Sequence, residues 1–176
     1  IKKSILQCDK TIVSIFVNKP QFNNKKDYHK YPRMLKNDTK ILKKLNVDFL
    51  FLPTSKQIYP NGIRKHLKIS SLENRLCGKF RPGHFRAVVD VVERFLNIIK
   101  PRNIYLGEKD FQQLKIIEDY IKRKKIKTKA IKCKTIRENN GLPFSSRNFL
   151  LSSKDKSIAS KATSLIRRKK SFFIKR

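Results

Sequence analysis

The sequence predicts an α/β fold built on a parallel sheet. Short runs of β-branched, leucine and aromatic residues alternate with stretches whose apolar positions recur at helical spacing. The resulting order, strand–helix–strand–helix–strand–helix–strand, is the signature of parallel strands joined by helical crossovers. No internal repeat competes with this reading.

Thr11–Val17 (TIVSIFV) reads as the first buried strand. Residues 18–30, rich in Asn, Lys and Pro, read as a loop. A helix is predicted from Pro32, with Leu35, Ile41, Leu42 and Leu45 as its apolar stripe. Val47–Leu52 (VDFLFL) is the second strand, closed by Pro53, and residues 54–79 are irregular, with a turn at Tyr59-Pro60-Asn61-Gly62. The clearest helix is His84–Ile99, where Phe85, Val88, Val89, Val92, Phe95, Leu96 and Ile99 share one broad face before Pro101 stops it. Asn103–Leu106 is the third strand and Gly107–Asp110 the turn after it. Phe111–Lys124 is a helix with Leu114, Ile117 and Ile121 on one side, and Lys129–Ile136 is the fourth strand. Beyond it, Asn139-Asn140-Gly141 and a serine-rich loop break the rhythm, so a first domain of residues 1–136 and a second of residues 137–176 are predicted. A helix is expected around Ile158–Ile166.

Hydrophobic residues make up 39% of the chain, enough for a packed core, and disorder is not the default. No apolar run reaches the length of a membrane span and no signal-peptide pattern opens the chain, so a cytoplasmic location without a membrane partner is expected. Cys8, Cys77 and Cys133 lack metal-ligand spacing and read as reduced, partly buried thiols. The first residue is Ile1 rather than Met, which reads as a fragment or a processed product.

A net charge of +31 raises the question of a nucleic-acid partner. The 44 basic residues are spread evenly, however: 12, 10, 13 and 9 in residues 1–50, 51–100, 101–150 and 151–176. Lysine outnumbers arginine 31 to 13, whereas base readout and bidentate phosphate recognition favour arginine. The chain also carries 20 Ile and 12 Asn against 4 Ala and 5 Gly, the composition an AT-rich genome produces without selection for a partner. No specific nucleic acid is expected.

Ligands of open parallel sheets bind beyond the carboxyl ends of the strands. Polar residues that a core does not need stand there. Asn18 and Gln21 follow the first strand, and Gly107, Glu108, Lys109, Asp110, Gln112 and Gln113 follow the third. Ser145, Ser146 and Arg147 lie past the fourth. Glycine admits a close approach of ligand to backbone. Lys109 and Arg147 can hold phosphate oxygens, the serines add donors, and Asp110 can accept from ribose hydroxyls. Gln21 and Gln113 offer amides to a small hydroxy acid, and Asp38 an oxygen to magnesium. Each piece also has a plainer use: Gly-Glu-Lys-Asp as a charged turn, Ser-Ser-Arg-Asn as a helix cap, His84 as a helix start.

Ser14–Asn18 (SIFVN), Gln21-Phe22, Tyr31-Pro32-Arg33, Tyr59-Pro60, Arg81–Phe85 (RPGHF), Gly107–Leu114 (GEKDFQQL) and Gly141–Asn148 (GLPFSSRN) together resemble the pantothenate synthetase family, in order and in spacing. The resemblance runs from residue 1 to about residue 153. It implies a Rossmann-like nucleotidyl-transferase domain, a parallel sheet with helices on both faces, followed by the start of a smaller C-terminal lid domain. It implies an ATP-dependent ligase that joins pantoate to β-alanine through pantoyl adenylate, releasing pyrophosphate and AMP. By position, Lys109, Ser145, Ser146 and Arg147 correspond to the catalytic phosphate clamp, and Gly107, Glu108, Asp110 and Ile136 to further ATP contacts. Gln21 and Gln113 correspond to pantoate ligands, Asn18 and His84 to other pocket residues, and Asp38 to a magnesium-side carboxylate. ATP as co-substrate, Mg and a homodimer are the implied cofactor and partners.

Three departures accompany the resemblance. The family's HxGH phosphate-binding motif and its N-terminal strand would fall before Ile1, and most of the small domain after about residue 165. The usual Asn-Pro-x-Gln-Phe reads Asn18-Lys19-Pro20-Gln21-Phe22, with proline displaced one place. Two alternatives therefore stand beside the ligase: a truncated, inactive nucleotide-binding remnant, and a basic nucleic-acid-binding protein on the same fold.

Overall fold

The structure is a computed structural model that describes residues 1–64 and 66–174, with side chains described through residue 169. Its elements run α1 (Lys2–Gln7), β1 (Ile12–Ser14), α2 (Lys25–Lys30), α3 (Leu35–Lys44), β2 (Phe49–Phe51), α4 (Ser55–Ile58), α5 (His84–Ile99), β3 (Asn103–Gly107), α6 (Phe111–Arg123), β4 (Lys129–Cys133) and α7 (Ser153–Ile174). Single turns of 3-10 helix occupy Lys19–Gln21, Glu108–Asp110 and Ser146–Leu150, and two more lie within 71–80. Two compact units divide the chain, Ile1–Cys133 and Lys134–Arg176.

The α/β class with parallel strands is borne out. β1 pairs with β2 in register Ile12–Phe49 to Ser14–Phe51, and β3 pairs with β4 from Asn103–Lys129 to Gly107–Cys133, both parallel. Each pair is closed by a helix, α3 in the first and α6 in the second, as parallel connections require. The strands form two separate pairs rather than one run of four.

The longest apolar stripe in the sequence forms the helix that organises the first unit. Phe85 and Val89 of α5 cluster with Ile116 and Tyr120 of α6. Val88 and Leu96 cluster with Ile117 and Ile121, over Ile104 and Leu106 of β3 and Ala130 of β4. Phe95 meets Phe16 and Phe51 edge-on at 6.1 and 6.0 Å, which ties α5 to the other strand pair. Edge-to-face contacts of this kind add roughly 0.5–1.5 kcal/mol each beyond the area they bury.

Several boundaries differ from expectation. The strands are shorter than their apolar runs, since pairing in β1 and β2 stops after three residues. The stretch 18–30 is not all loop. Asn24 accepts a hydrogen bond from the Lys26 amide and starts α2, with Asp27 favourably placed in the first turn. Arg33 then donates to the Tyr28 and Tyr31 carbonyls, so Tyr31-Pro32-Arg33 is a braced turn and the next helix begins at Leu35 rather than Pro32. The C-terminal helix is longer than expected, Ser153–Ile174. Of the three cysteines, all free, Cys77 is exposed rather than partly buried.

Asn46, Lys100 and Lys125 take left-handed backbone angles after α3, α5 and α6, with φ of 54, 50 and 52°. Glycine or asparagine is the usual residue there, and a lysine costs about 1 kcal/mol. Lys125→Gly is therefore expected to raise unfolding free energy by about 0.5–1 kcal/mol in urea denaturation. A loss of stability would show that the Lys125 side chain contributes something the backbone argument omits.

Candidate functional site

Three of the residues singled out in the sequence meet at the start of α5. Gly83 takes φ +75°, and His84 follows as the first helical residue, 6% exposed. Its Nδ1 lies 2.7 Å from the Gln21 backbone carbonyl. A carbonyl only accepts, so Nδ1 carries a proton and donates it. His84 thus starts the helix and also clamps the 3-10 turn Lys19–Gln21. Pro20 fits within that turn. Gln21 and Phe22 donate their amides to the Asn18 and Lys19 carbonyls, and the displaced proline, which lacks an amide, interrupts neither bond.

Asn18 is 2% exposed and lies beneath this turn. Its Nδ2 donates to the Ala87 carbonyl at 3.1 Å and to the Gln21 Oε1 at 3.3 Å, while its Oδ1 accepts from the Tyr59 hydroxyl at 2.7 Å. Burial and the nearby Asp90 charge push the Tyr59 phenol up to about 12, so it remains a donor at neutral pH.

Tyr59 rests in turn on Arg94. The Arg94 guanidinium lies 4.6 Å above the Tyr59 ring and donates to the Ile58 and Gly62 carbonyls at 2.7 and 2.9 Å. It also pairs with Asp90 at 2.9 Å, one helical turn back. Asp90 is 1% exposed and holds a second arginine, Arg64, at 2.7 Å. Burial alone would pull the Arg64 guanidinium down, but its bonds to Asp90 and Glu93 outweigh that and hold it above its ordinary value. This ionic cluster anchors residues 58–64 to the side of α5.

At the end of β3, Gly107 leads into Glu108–Asp110 and the start of α6. No atom lies within 4 Å of where a Gly107 side chain would begin, so the backbone there faces open space. Lys109 and Asp110 are exposed and Glu108 is partly covered. The two glutamines that follow differ in use. Gln112 donates to the Leu72 and Arg75 carbonyls at 2.8 and 2.6 Å and accepts from the Cys77 amide at 3.1 Å, pinning residues 72–77. Gln113, half-buried on the first turn of α6, is not drawn into that lock.

Asp38 sits in the first turn of α3. No group of three His, Cys, Asp or Glu side chains suited to a metal occurs among the described residues. Magnesium commonly takes one or two carboxylates and completes its shell with water and phosphate oxygens, so a lone Asp38 fits only a shared role with a triphosphate.

In the second unit, Ile136 is 69% exposed, and Ser145 caps the 3-10 turn Ser146–Leu150 by accepting from the Arg147 amide at 3.3 Å. Asn148 donates to Glu138 and to the Pro143 carbonyl, which folds the Gly141–Asn148 loop onto itself. Ser146 and Arg147 project from its exposed side. The cap anticipated as the plainer reading is present, and it leaves the Ser146 and Arg147 side chains outward.

A separate groove of about 600 Å³ opens between β1 and β3, lined by residues including Ser4, Cys8, Thr11, Val13, Asn103 and Tyr105. None of the candidate site residues lines it. Hydrogen bonds from Tyr105 and Asn103 hold the Cys8 thiol below its ordinary value, and the same contact pushes Tyr105 up to about 12. No helix among the described residues is long and apolar enough to cross a membrane.

Tyr59, Arg94 and Asp90 were not among the residues expected at the site. One signal was available. Asp90 interrupts an apolar run, Ala87–Val92, and a carboxylate inside a buried helix face needs a cation such as Arg94 four residues on.

Residues 1–173 match the family model described as Pantoate-beta-alanine ligase. The chain is 50% identical over 171 residues to a pantothenate synthetase of Francisella philomiragia, and 49% over 169 residues to one of Francisella tularensis subsp. novicida. Each alignment takes in 95% of this chain but 64% of the relative, so the chain spans about two thirds of its relatives' length, slightly less. Among solved structures it is similar to the pantoate-beta-alanine ligase of F. tularensis complexed with beta-gamma ATP and beta-alanine, with TM-score 0.88 and 49% identity over 94% of this chain and 64% of that one. It is also similar to the pantothenate synthetase of Thermus thermophilus, with TM-score 0.89 and 33% identity over 97% and 63% of the two chains.

Proposed function

We propose, because this chain belongs to the pantoate-beta-alanine ligase family, that the full-length protein condenses pantoate with β-alanine at the expense of ATP. The observation that carries the proposal is the family match over residues 1–173, within which most of the candidate residues stand after β1 and β3 and in the Gly141–Asn148 loop. A solved relative that is 49% identical is complexed with beta-gamma ATP and beta-alanine, and ATP and β-alanine are two of the three substrates the reaction needs.

In the first step, a pantoate carboxylate oxygen attacks the α-phosphorus of ATP, and pyrophosphate leaves. In the second, the β-alanine amine attacks the acyl carbon of the adenylate, loses a proton, and AMP departs with the oxygen that pantoate contributed. Neither step involves a covalent bond to the protein, so the side chains act by position and charge. Lys109 and Arg147 neutralise charge that builds on the α-phosphate, with Ser145 and Ser146 as neighbouring donors. Gly107, Glu108, Asp110 and Ile136 hold the nucleotide, with Gly107 and Asp110 at the ribose. Gln21 and Gln113 hold pantoate, and Asn18 and His84 shape the wall behind Gln21. Asp38 would share a magnesium ion with the triphosphate, and the ion would screen phosphate charge. A homodimer in the cytoplasm completes the reading, and it rests on the family alone.

The groove between β1 and β3 supports the expectation of a further N-terminal strand. Each of these strands has a sheet partner on one side only, and the groove lies between their other edges. α1 leads into β1 as a crossover helix leads into a parallel strand. A strand before α1, seated in the groove, would join the two pairs into one sheet, with residues 1–136 as the nucleotide-binding domain and residues 137–176 opening the lid.

Gln21→Ala tests the substrate assignment. Losing hydrogen bonds to a charged ligand costs about 1.5–3 kcal/mol, so the KM for pantoate in the full-length protein is expected to rise roughly 10- to 100-fold with little change for ATP. An unchanged pantoate KM would remove Gln21 from the site.

A further inference from the structure

We propose that Tyr59 is a positioning residue for Gln21, acting through Asn18, and that Arg94 and Asp90 hold Tyr59 in place for that role. The inference rests on the reading of Gln21 as a pantoate ligand.

A carboxamide has two faces of opposite character, an acceptor oxygen and a donor nitrogen, that can exchange by rotating about one bond. At the end of β1 that rotation is blocked twice. The Ala87 carbonyl can only accept, so the Asn18 nitrogen must lie on its side, and the Tyr59 hydroxyl, 2.7 Å from the Asn18 oxygen, then serves it by donating. The second proton of the Asn18 nitrogen goes to the Gln21 oxygen. With that oxygen engaged, Gln21 presents its NH2 group outward. A site that offers donors selects the carboxylate and hydroxyl oxygens of a hydroxy acid and rejects an amine at the same place.

Tyr59 holds this post because Arg94 fixes it. Arg94 covers its ring, the Arg94 bonds to the Ile58 and Gly62 carbonyls frame the segment on either side of it, and Asp90 holds Arg94. The His84 bond to the Gln21 carbonyl fixes the backbone of the same residue. Gln21 is thereby constrained at both ends, by His84 at its backbone and by Asn18 at its amide.

The test is Tyr59→Phe, which keeps the ring beneath Arg94 and removes only the hydroxyl. Pantoate affinity of the full-length protein, measured by calorimetry, is expected to fall about tenfold with ATP affinity nearly unchanged, while the thermal midpoint falls by only a few degrees as the Asn18 oxygen loses its donor. In a Gln21→Ala background the same substitution should have no further effect on pantoate, which a general loosening of the fold would not produce. If Gln21→Ala weakens pantoate binding and Tyr59→Phe does not, the relay is wrong and the ligand assignment stands. If Gln21→Ala changes nothing, the ligand assignment is wrong. Nitrogen–proton spectra then decide the relay on their own. Tyr59→Phe should shift the Gln21 side-chain NH2 signals and speed exchange of those of Asn18, and unchanged signals would overturn it.

Discussion

Lys109→Ala in the full-length protein is expected to lower AMP formation dependent on pantoate and β-alanine by about 10²–10³-fold, the usual loss when one preorganised charge contact to a transition state is removed. Lys109 lies on the exposed turn between β3 and α6, outside both apolar clusters, so the variant should fold normally. The loss should fall on kcat as well as on kcat/KM, because charge on the α-phosphate grows as the carboxylate attacks. Lys109→Arg should recover only part of it, since a planar fork does not reproduce a compact ammonium. Turnover near that of the parent with alanine at 109 would remove Lys109 from the phosphate clamp.

The largest effect on stability is expected at Asp90. Removing one partner from a buried ion pair leaves an uncompensated charge and costs about 3–5 kcal/mol. Asp90→Ala strands Arg94, which is 16% exposed, and Arg64 more mildly, since its side chain is 41% exposed and water can take over. The thermal midpoint should fall by roughly 10 °C for a domain of this size. Asp90→Asn retains one acceptor oxygen and should cost less. An Asp90→Ala variant that melts with the parent would mean that neither arginine depends on the carboxylate.

The parts of the fold that could be read from sequence are those with strong periodicity. The helix His84–Ile99 is expected over the residues where it is found, because its apolar stripe begins after a glycine and ends before a proline. The alternation of strands and helices points to the parallel class for the same reason. Local capping chemistry is harder to read. Asn24 with Asp27 is a helix start within a stretch dominated by loop-forming residues, and the brace from Arg33 to Tyr28 cannot be inferred before the aromatic residues come together. At the candidate site, the residues proposed stand out in the sequence because most lie past strand ends, where a core needs no polar groups. Their division of labour is not. Gln112 and Gln113 are neighbours of one type, and only tertiary contact shows that the first is spent on the loop at 72–77. Tyr59 reaches Asn18 across 41 positions, a pairing no local pattern encodes.

Isotope transfer tests the central claim most directly. Pantoate labelled with ¹⁸O in its carboxylate is incubated with the full-length protein, ATP, magnesium and β-alanine, and the products are weighed by mass spectrometry. AMP should carry one ¹⁸O per pantothenate formed, because the oxygen that attacks the α-phosphorus leaves with it. Pantothenate formed with the label in inorganic phosphate, or no pantothenate formed at all, would contradict it.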